Sequence, residues 1–260
     1  MKKFMTLAAM FAAVMMSFSA CEKTPVQGGE NNEGGNTETP ADVCPDCQKN
    51  PCECEPEYVS PLTMDGDFSD WDALDASKVA VTKCATDAKY TALKVAKVYV
   101  DEVYINVYFE YDESQLGDLS FIPFDMYLDQ EGEDGVGDDY YIGQTGVDYL
   151  FEGAVISEGA CVSYDPDMFI YTGSRESWEW GWEAHLEAGL GLCNGAGANG
   201  KYEFALLKEM LMGVELGDQF GLGFMIATPD WATVGVLPNV DVTDENANGK
   251  ASLLKVANVK

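Results

Sequence analysis

The chain has 260 residues, 47% of them hydrophobic, and sets 15 basic residues against 45 acidic ones, a formal charge of −30 with a single histidine. A surface this acidic repels phosphate backbones, and no cluster of Lys or Arg is present to release counterions, so the composition excludes nucleic acid and leaves cations, neutral ligands such as sugars, and other proteins. One histidine leaves little for Ser-His-Asp chemistry, no nucleophile motif surrounds any serine, and the chain reads as non-catalytic.

Residues 1–20, MKKFMTLAAMFAAVMMSFSA, place Lys2 and Lys3 before an apolar run that ends in small residues, the build of a secretory leader that is removed. Phe18-Ser19-Ala20-Cys21 resembles a lipobox, although Phe18 stands where Leu is usual. The resemblance implies acylation of Cys21 and a membrane attachment made by the lipid anchor alone. Residues 21–61 are then an acylated cysteine followed by a spacer rich in Gly, Asn, Pro and acids, with almost nothing apolar to bury, and the composition predicts disorder. Within it CPDCQKNPCEC gathers Cys44, Cys47, Cys52 and Cys54. These four have the make-up of a small zinc or disulfide knot, but the second pair is C-x-C, which bends awkwardly to offer both sulfurs to one tetrahedral ion, so free or paired linker thiols are the alternative.

Residues 62–260 read as one all-β domain, an antiparallel β-sandwich with jelly-roll or immunoglobulin-like layering and one or two short helical turns. Strands are expected at Ser77–Cys84 and Thr91–Val100, the second turning at Asp101-Glu102 into the alternation of Val103, Ile105, Val107 and Phe109. Ile122, Phe124, Met126 and Leu128 alternate likewise. Further strands are expected at Asp148–Phe151, Met168–Tyr171, Trp178–His185, Lys201–Leu206, Gln219–Ala227 and Leu253–Val259, with a helical turn at Leu207–Met212. Cys84 and Cys161 are expected as small core residues on strands.

The order of motifs is similar to that of family 9 carbohydrate-binding modules and the wider DOMON-like sandwiches. MDGDFSDWDAL (Met64–Leu74) resembles their opening, with Trp71 as an anchor under the sheets; VYINVYFEYD (Val103–Asp112), MYLDQEG (Met126–Gly132) and GVDYLFEG (Gly146–Gly153) follow in order, and YEFALLKEML with LGDQFGLGFMIAT resembles the closing pair. The resemblance implies a sandwich and makes glycan a plausible ligand. It also admits a haem-binding redox domain, with His185 as an axial ligand and Met225 opposite, while the residues themselves call for no organic cofactor. The lipoprotein layout looks like that of surface proteins of glycan-scavenging Gram-negative bacteria, which implies the outer membrane and the cell surface. The competing reading is an assembly lipoprotein that recognises another envelope protein, with every tryptophan structural.

Trp178, Trp180 and Trp182 alternate with Glu179, Gly181 and Glu183 and on a strand would share one face. Exposed, they form a platform for sugar rings; buried, they are core, and an end residue, Trp178 or Trp182, is the one to reach a rim. Trp231, in the loop ATPDWATVG, is the favoured single ligand contact, with a plug over the sandwich end as the alternative. The loop carrying Asp129, Glu131, Glu133, Asp134, Asp138 and Asp139 packs six carboxylates together, and a hard cation such as Ca2+ would ease their repulsion. A solvated acidic loop is the plainer reading. Asp244, Asn246, Asn248 and Gly249 mimic half a calcium loop, but Lys255 stands at its twelfth position, and Asn248-Gly249 reads better as a tight turn.

Overall fold

The computed structural model describes residues 58–131, 146–173, 181–211, 213–239 and 253–260. The cysteine-rich spacer, Cys21, Trp178, Glu133, Asp134, Asp138, Asp139 and the Asp244–Gly249 turn lie outside these residues. The described part falls within one unit, Tyr58–Lys260.

Period-two alternation builds strands whose apolar sides need cover, and two such sheets cover one another. In chain order the strands are β1 (Val79–Lys83), β2 (Leu93–Val100), β3 (Tyr104–Tyr111), β4 (Phe121–Asp129), β5 (Tyr149–Ser157), β6 (Ala160–Cys161), β7 (Asp167–Tyr171), β8 (Trp182–Leu186), β9 (Cys193–Ala198), β10 (Lys201–Leu207), β11 (Gln219–Ala227), β12 (Thr233–Leu237) and β13 (Leu254–Ala257). The smaller sheet has the order β1-β2-β3-β10-β9; the larger runs β12-β11-β4-β5-β7-β8, with β13 also pairing β11 and β6 pairing β5. All pairings are antiparallel. The protein is a β-sandwich, and among the described residues its helical structure is confined to 3-10 turns, one of them at Lys208–Met210 within the expected turn.

The core between the layers comes from alternate positions: Ile105, Val107 and Phe109 of β3, Phe204 and Leu206 of β10, Ile122, Phe124, Met126 and Leu128 of β4, and Leu222, Phe224 and Ile226 of β11. Phe109 stacks across the layers on Phe124, ring centroids 4.4 Å apart and planes within 4°. Pro123 lies inside β4, where it has no N–H to give a ladder, and the β4–β5 register shifts at Ile122/Pro123, so a bulge absorbs the missing bond. Cys193 is buried, whereas Cys84 and Cys161 are only half-buried at the core's margin, one just past β1 and the other on the short β6.

Each sheet also has a second, outer face. On the smaller sheet it is covered by the entering segment, where Leu62, Met64, Phe68, Trp71 and Leu74 pack on Tyr99 and Tyr108. Trp71 is the anchor its motif suggested. Its indole Nε1 donates to Glu203 Oε2 at 2.8 Å, and Glu203 Oε1 accepts from the backbone N–H groups of Asp65 and Gly66. The outer face of the larger sheet is different in kind.

Candidate functional site

On β4 the residues between the core positions, Phe121, Pro123, Asp125, Tyr127 and Asp129, point away from the sandwich interior. Cross-strand register continues the rows: Asp125 opposes Glu152 on β5 and Met225 on β11, and Glu152 opposes Asp167 on β7. Tyr127 opposes Leu150, which opposes Phe169. Alternate residues on a strand advance about 6.7 Å. Phe121, Asp125 and Asp129 therefore mark three stations about 13 Å apart on one face.

At the first station Trp231 is 50% exposed beside Phe121, itself 39% exposed, with ring centroids 6.2 Å apart. Trp231 sits in the turn between β11 and β12 with φ +64°. Bulky side chains avoid this left-handed conformation, which costs about 1–2 kcal/mol. The turn holds it by donating Trp231 N–H to Thr228 O at 2.8 Å and Thr228 N–H to Ala232 O at 3.0 Å, while Thr228 Oγ1 bonds Asp230. An indole is thus kept in solvent by a backbone better suited to glycine.

At the second station Asp125 is 3% exposed and opposes half-buried Glu152, which in turn opposes half-buried Asp167. Burial, and then the charge of Glu152, push the Asp125 carboxyl up to about 8, against a smaller opposing effect of the Tyr127 hydroxyl bond. Burial, and then Asp167, also raise Glu152. Beside this row Tyr127, Leu150, Trp182, Val147 and Val236 form a small apolar cluster, with Phe169, Tyr171 and Met225 packed against it. Trp182 lies on the outer face but is only 8% exposed, 5.2 Å from the Tyr171 ring and 6.5 Å from Tyr127. It is neither an open platform nor part of the core between the layers, which corrects its expected role as a direct ligand contact.

At the third station Asp129 and Glu131 are joined by Asp148, which the sequence reading missed; each offers an oxygen, and the three lie within 4.8 Å of one another. Asp129 and Asp148 are buried and Glu131 is exposed. Asp148 Oδ2 accepts from Gln130 N–H at 3.0 Å and Asp129 Oδ1 from Glu131 N–H at 3.1 Å, so the backbone pre-sets two of the carboxylates. Three converging oxygens suit half the coordination of a calcium ion, which takes six to eight. Asp148 was hidden because it lies past the loop, just before β5, and enters by strand pairing.

His185 and Met225 do not come together. His185 is on β8 and Met225 on β11, with β4, β5 and β7 between them. At about 4.8 Å per strand they stand roughly 19 Å apart, too far to bind one haem iron from opposite sides.

No protein-family model and no curated protein matches the chain. Among solved structures it is similar to a family 9 carbohydrate-binding module from Caldicellulosiruptor kristjanssonii, solved in complex with cellotriose, at 14% identity and a TM-score of 0.36, covering 77% of this chain and 90% of that one.

Proposed function

We propose that the protein is a non-catalytic glycan-binding lipoprotein, held on the outer membrane by acylated Cys21 and displayed at the cell surface on its spacer. The observation that carries the glycan reading is Trp231, half in solvent beside exposed Phe121 on a turn that favours glycine. A bulky aromatic kept half in solvent at a strained backbone position points to a use beyond packing. Flat indole and phenyl surfaces suit the C–H faces of sugar rings, and the outer-face carboxyls further along offer acceptors to hydroxyls.

Calcium fits the reading as a structural cation. Asp129, Glu131 and Asp148 would hold it, fixing the end of β4 and the start of β5. The anchor is supported by the leader and by Cys21 following Phe18-Ser19-Ala20.

A glycan array probed with the full chain in detergent and calcium tests the binding. Trp231→Ala is expected to lower affinity for the selected oligosaccharide about tenfold or more, the value of one good aromatic contact. Unchanged binding by that variant, with the fold intact by circular dichroism, sinks the reading. Incorporation of a palmitate analogue by the wild type and its loss in Cys21→Ala tests the anchor.

A further inference from the structure

Among the described residues Asp125, like Asp70, Asn106 and Asn258, carries a buried side-chain oxygen without a hydrogen-bond partner, and Asp125 does so in the middle of a strand of the larger sheet. The residue is only 3% exposed, Oδ2 accepts from the Tyr127 hydroxyl at 3.3 Å, and Oδ1 has no hydrogen-bond partner. Buried polar groups are nearly always paired, because an unmade bond forfeits the water that was given up. Nor is this carboxyl a relic of the core, since it lies on the outer face in a row with Glu152 and Asp167. Among the described residues no Lys, Arg or His stands in that row, and Met225 closes it on the β11 side.

The three carboxyls are spread along the row and do not converge. The only set of three such donors within 4.8 Å of one another, among the described residues, is Asp129, Glu131 and Asp148. The row thus offers no three-oxygen cradle for a metal ion among the described residues. A group that donates several hydrogen bonds outward and carries positive charge suits it. Tyr127, whose hydroxyl touches Asp125, belongs to a cluster that half-buried Phe169 and Tyr171 border, and aromatic rings beside carboxyls favour an organic ammonium. Half-buried Glu152 and Asp167 leave the row open toward β7.

We propose that the Asp125–Glu152–Asp167 row binds a protonated amine, which under the glycan reading is the amino group of an amino sugar. Only the sugar body depends on that reading; the ammonium chemistry stands without it. Binding also displaces a proton. Asp125 is held up to about 8 and must ionise to pair with the amine. The titratable groups that face or back it are Tyr127 on its own strand, Glu152 on β5, Asp167 beyond it on β7 and buried Tyr164 on the core side.

The test is calorimetric titration of the full chain in detergent with three probes: a glucosamine trimer, its N-acetylated counterpart, and cadaverine. Both amines are expected to bind, and Asp125→Asn to weaken each by about tenfold or more, with Glu152→Gln acting in the same direction. Cadaverine stays charged to about pH 10, so its affinity is expected to rise between about pH 6 and 9 and to release protons to buffer. Equal binding of the amines by wild type and Asp125→Asn overturns the proposal, as does pH-independent binding of cadaverine. If cadaverine binds through Asp125 while no oligosaccharide binds at all, the ammonium site stands and the glycan reading fails. If oligosaccharides bind through Trp231 and neither amine depends on Asp125, the reverse holds.

Discussion

Glu203 sits mid-strand on β10 with its carboxylate toward the entering segment, where it receives Asp65 N–H at 3.2 Å, Gly66 N–H at 2.8 Å and the Trp71 indole at 2.8 Å. Burial raises its pKa while those bonds lower it, the first being the larger effect. Glu203→Ala takes the acceptor from the buried Trp71 indole and from two partly buried backbone N–H groups, and the expected loss is roughly 2–3 kcal/mol, read as a lowered urea midpoint at unchanged m-value. Asp125 is raised in the same direction but lacks such a set of donors. At a pH below its ordinary 3.8 both folded and unfolded chains hold the proton; from 3.8 to about 8 only the folded chain holds it, so this group makes stability fall as pH rises across that window. Asp125→Asn is expected to flatten the slope and to be the more stable protein at pH 8; a stability profile identical to wild type between those limits would contradict the assignment. Trp71 was legible from its Asp-Gly motif. Glu203 and Asp125 were not, because in a chain with 45 acids a carboxylate between two apolar neighbours reads as solvated, and only strand pairing reveals what covers it.

The long strands announced themselves, since alternation over seven or more residues leaves little doubt about period, and β11 occupies the expected Gln219–Ala227 span. Three short ones did not. β9 is Cys-Asn-Gly-Ala-Gly-Ala, whose glycines read as loop but whose lack of Cβ is what lets Tyr202 and Cys161 lie against it: a Cβ on Gly197 would sit 2.4 Å from the Tyr202 ring and 2.9 Å from the Cys161 sulfur. β6 has two residues, too few for any pattern, and β12 follows the Trp231 turn so closely that it read as loop. That turn gives a prediction in which stability and binding part company. Trp231→Gly removes left-handed strain and is expected to raise stability by about 1 kcal/mol while lowering oligosaccharide affinity about tenfold or more, measured by thermal melts and the glycan array on the same preparation. On the neighbouring strand, Gly235→Ala is expected to be severely destabilising, because its Cβ would lie 2.4 Å from Leu93 N.

At the scale of the whole molecule, the layered class followed from composition and spacing, whereas the outer face of the larger sheet did not, since it is assembled from β4, β5, β7, β8 and β11 across more than a hundred residues. The cation station is the same lesson: Asp148 meets Asp129 because β4 and β5 pair, not because they are near in sequence. If calcium binds there, a chelator is expected to lower the melting temperature by roughly 5–10 °C when the ion had stood at a hundred times its Kd, and Asp148→Asn to melt at the lower temperature with or without chelator. An unchanged melting curve would leave the three carboxylates as an acidic corner only.

The two layers are stitched along one flank. Thr91 bridges Gly235, and Ala92 N–H donates to Val234 O at 2.9 Å, so the residues leading into β2, the strand next to the edge strand β1, share backbone bonds with β12 at the margin of the other sheet. The other flank is tied through side chains instead, Ser163 Oγ accepting from Gly195 N–H at 3.1 Å and the Tyr202 hydroxyl donating to Val162 O, so the layers are expected to part there first. In native-state hydrogen exchange the amides of Ala92 and its neighbours should be among the last to trade, and the earliest breathing should begin at the opposite margin, around β8 and β9.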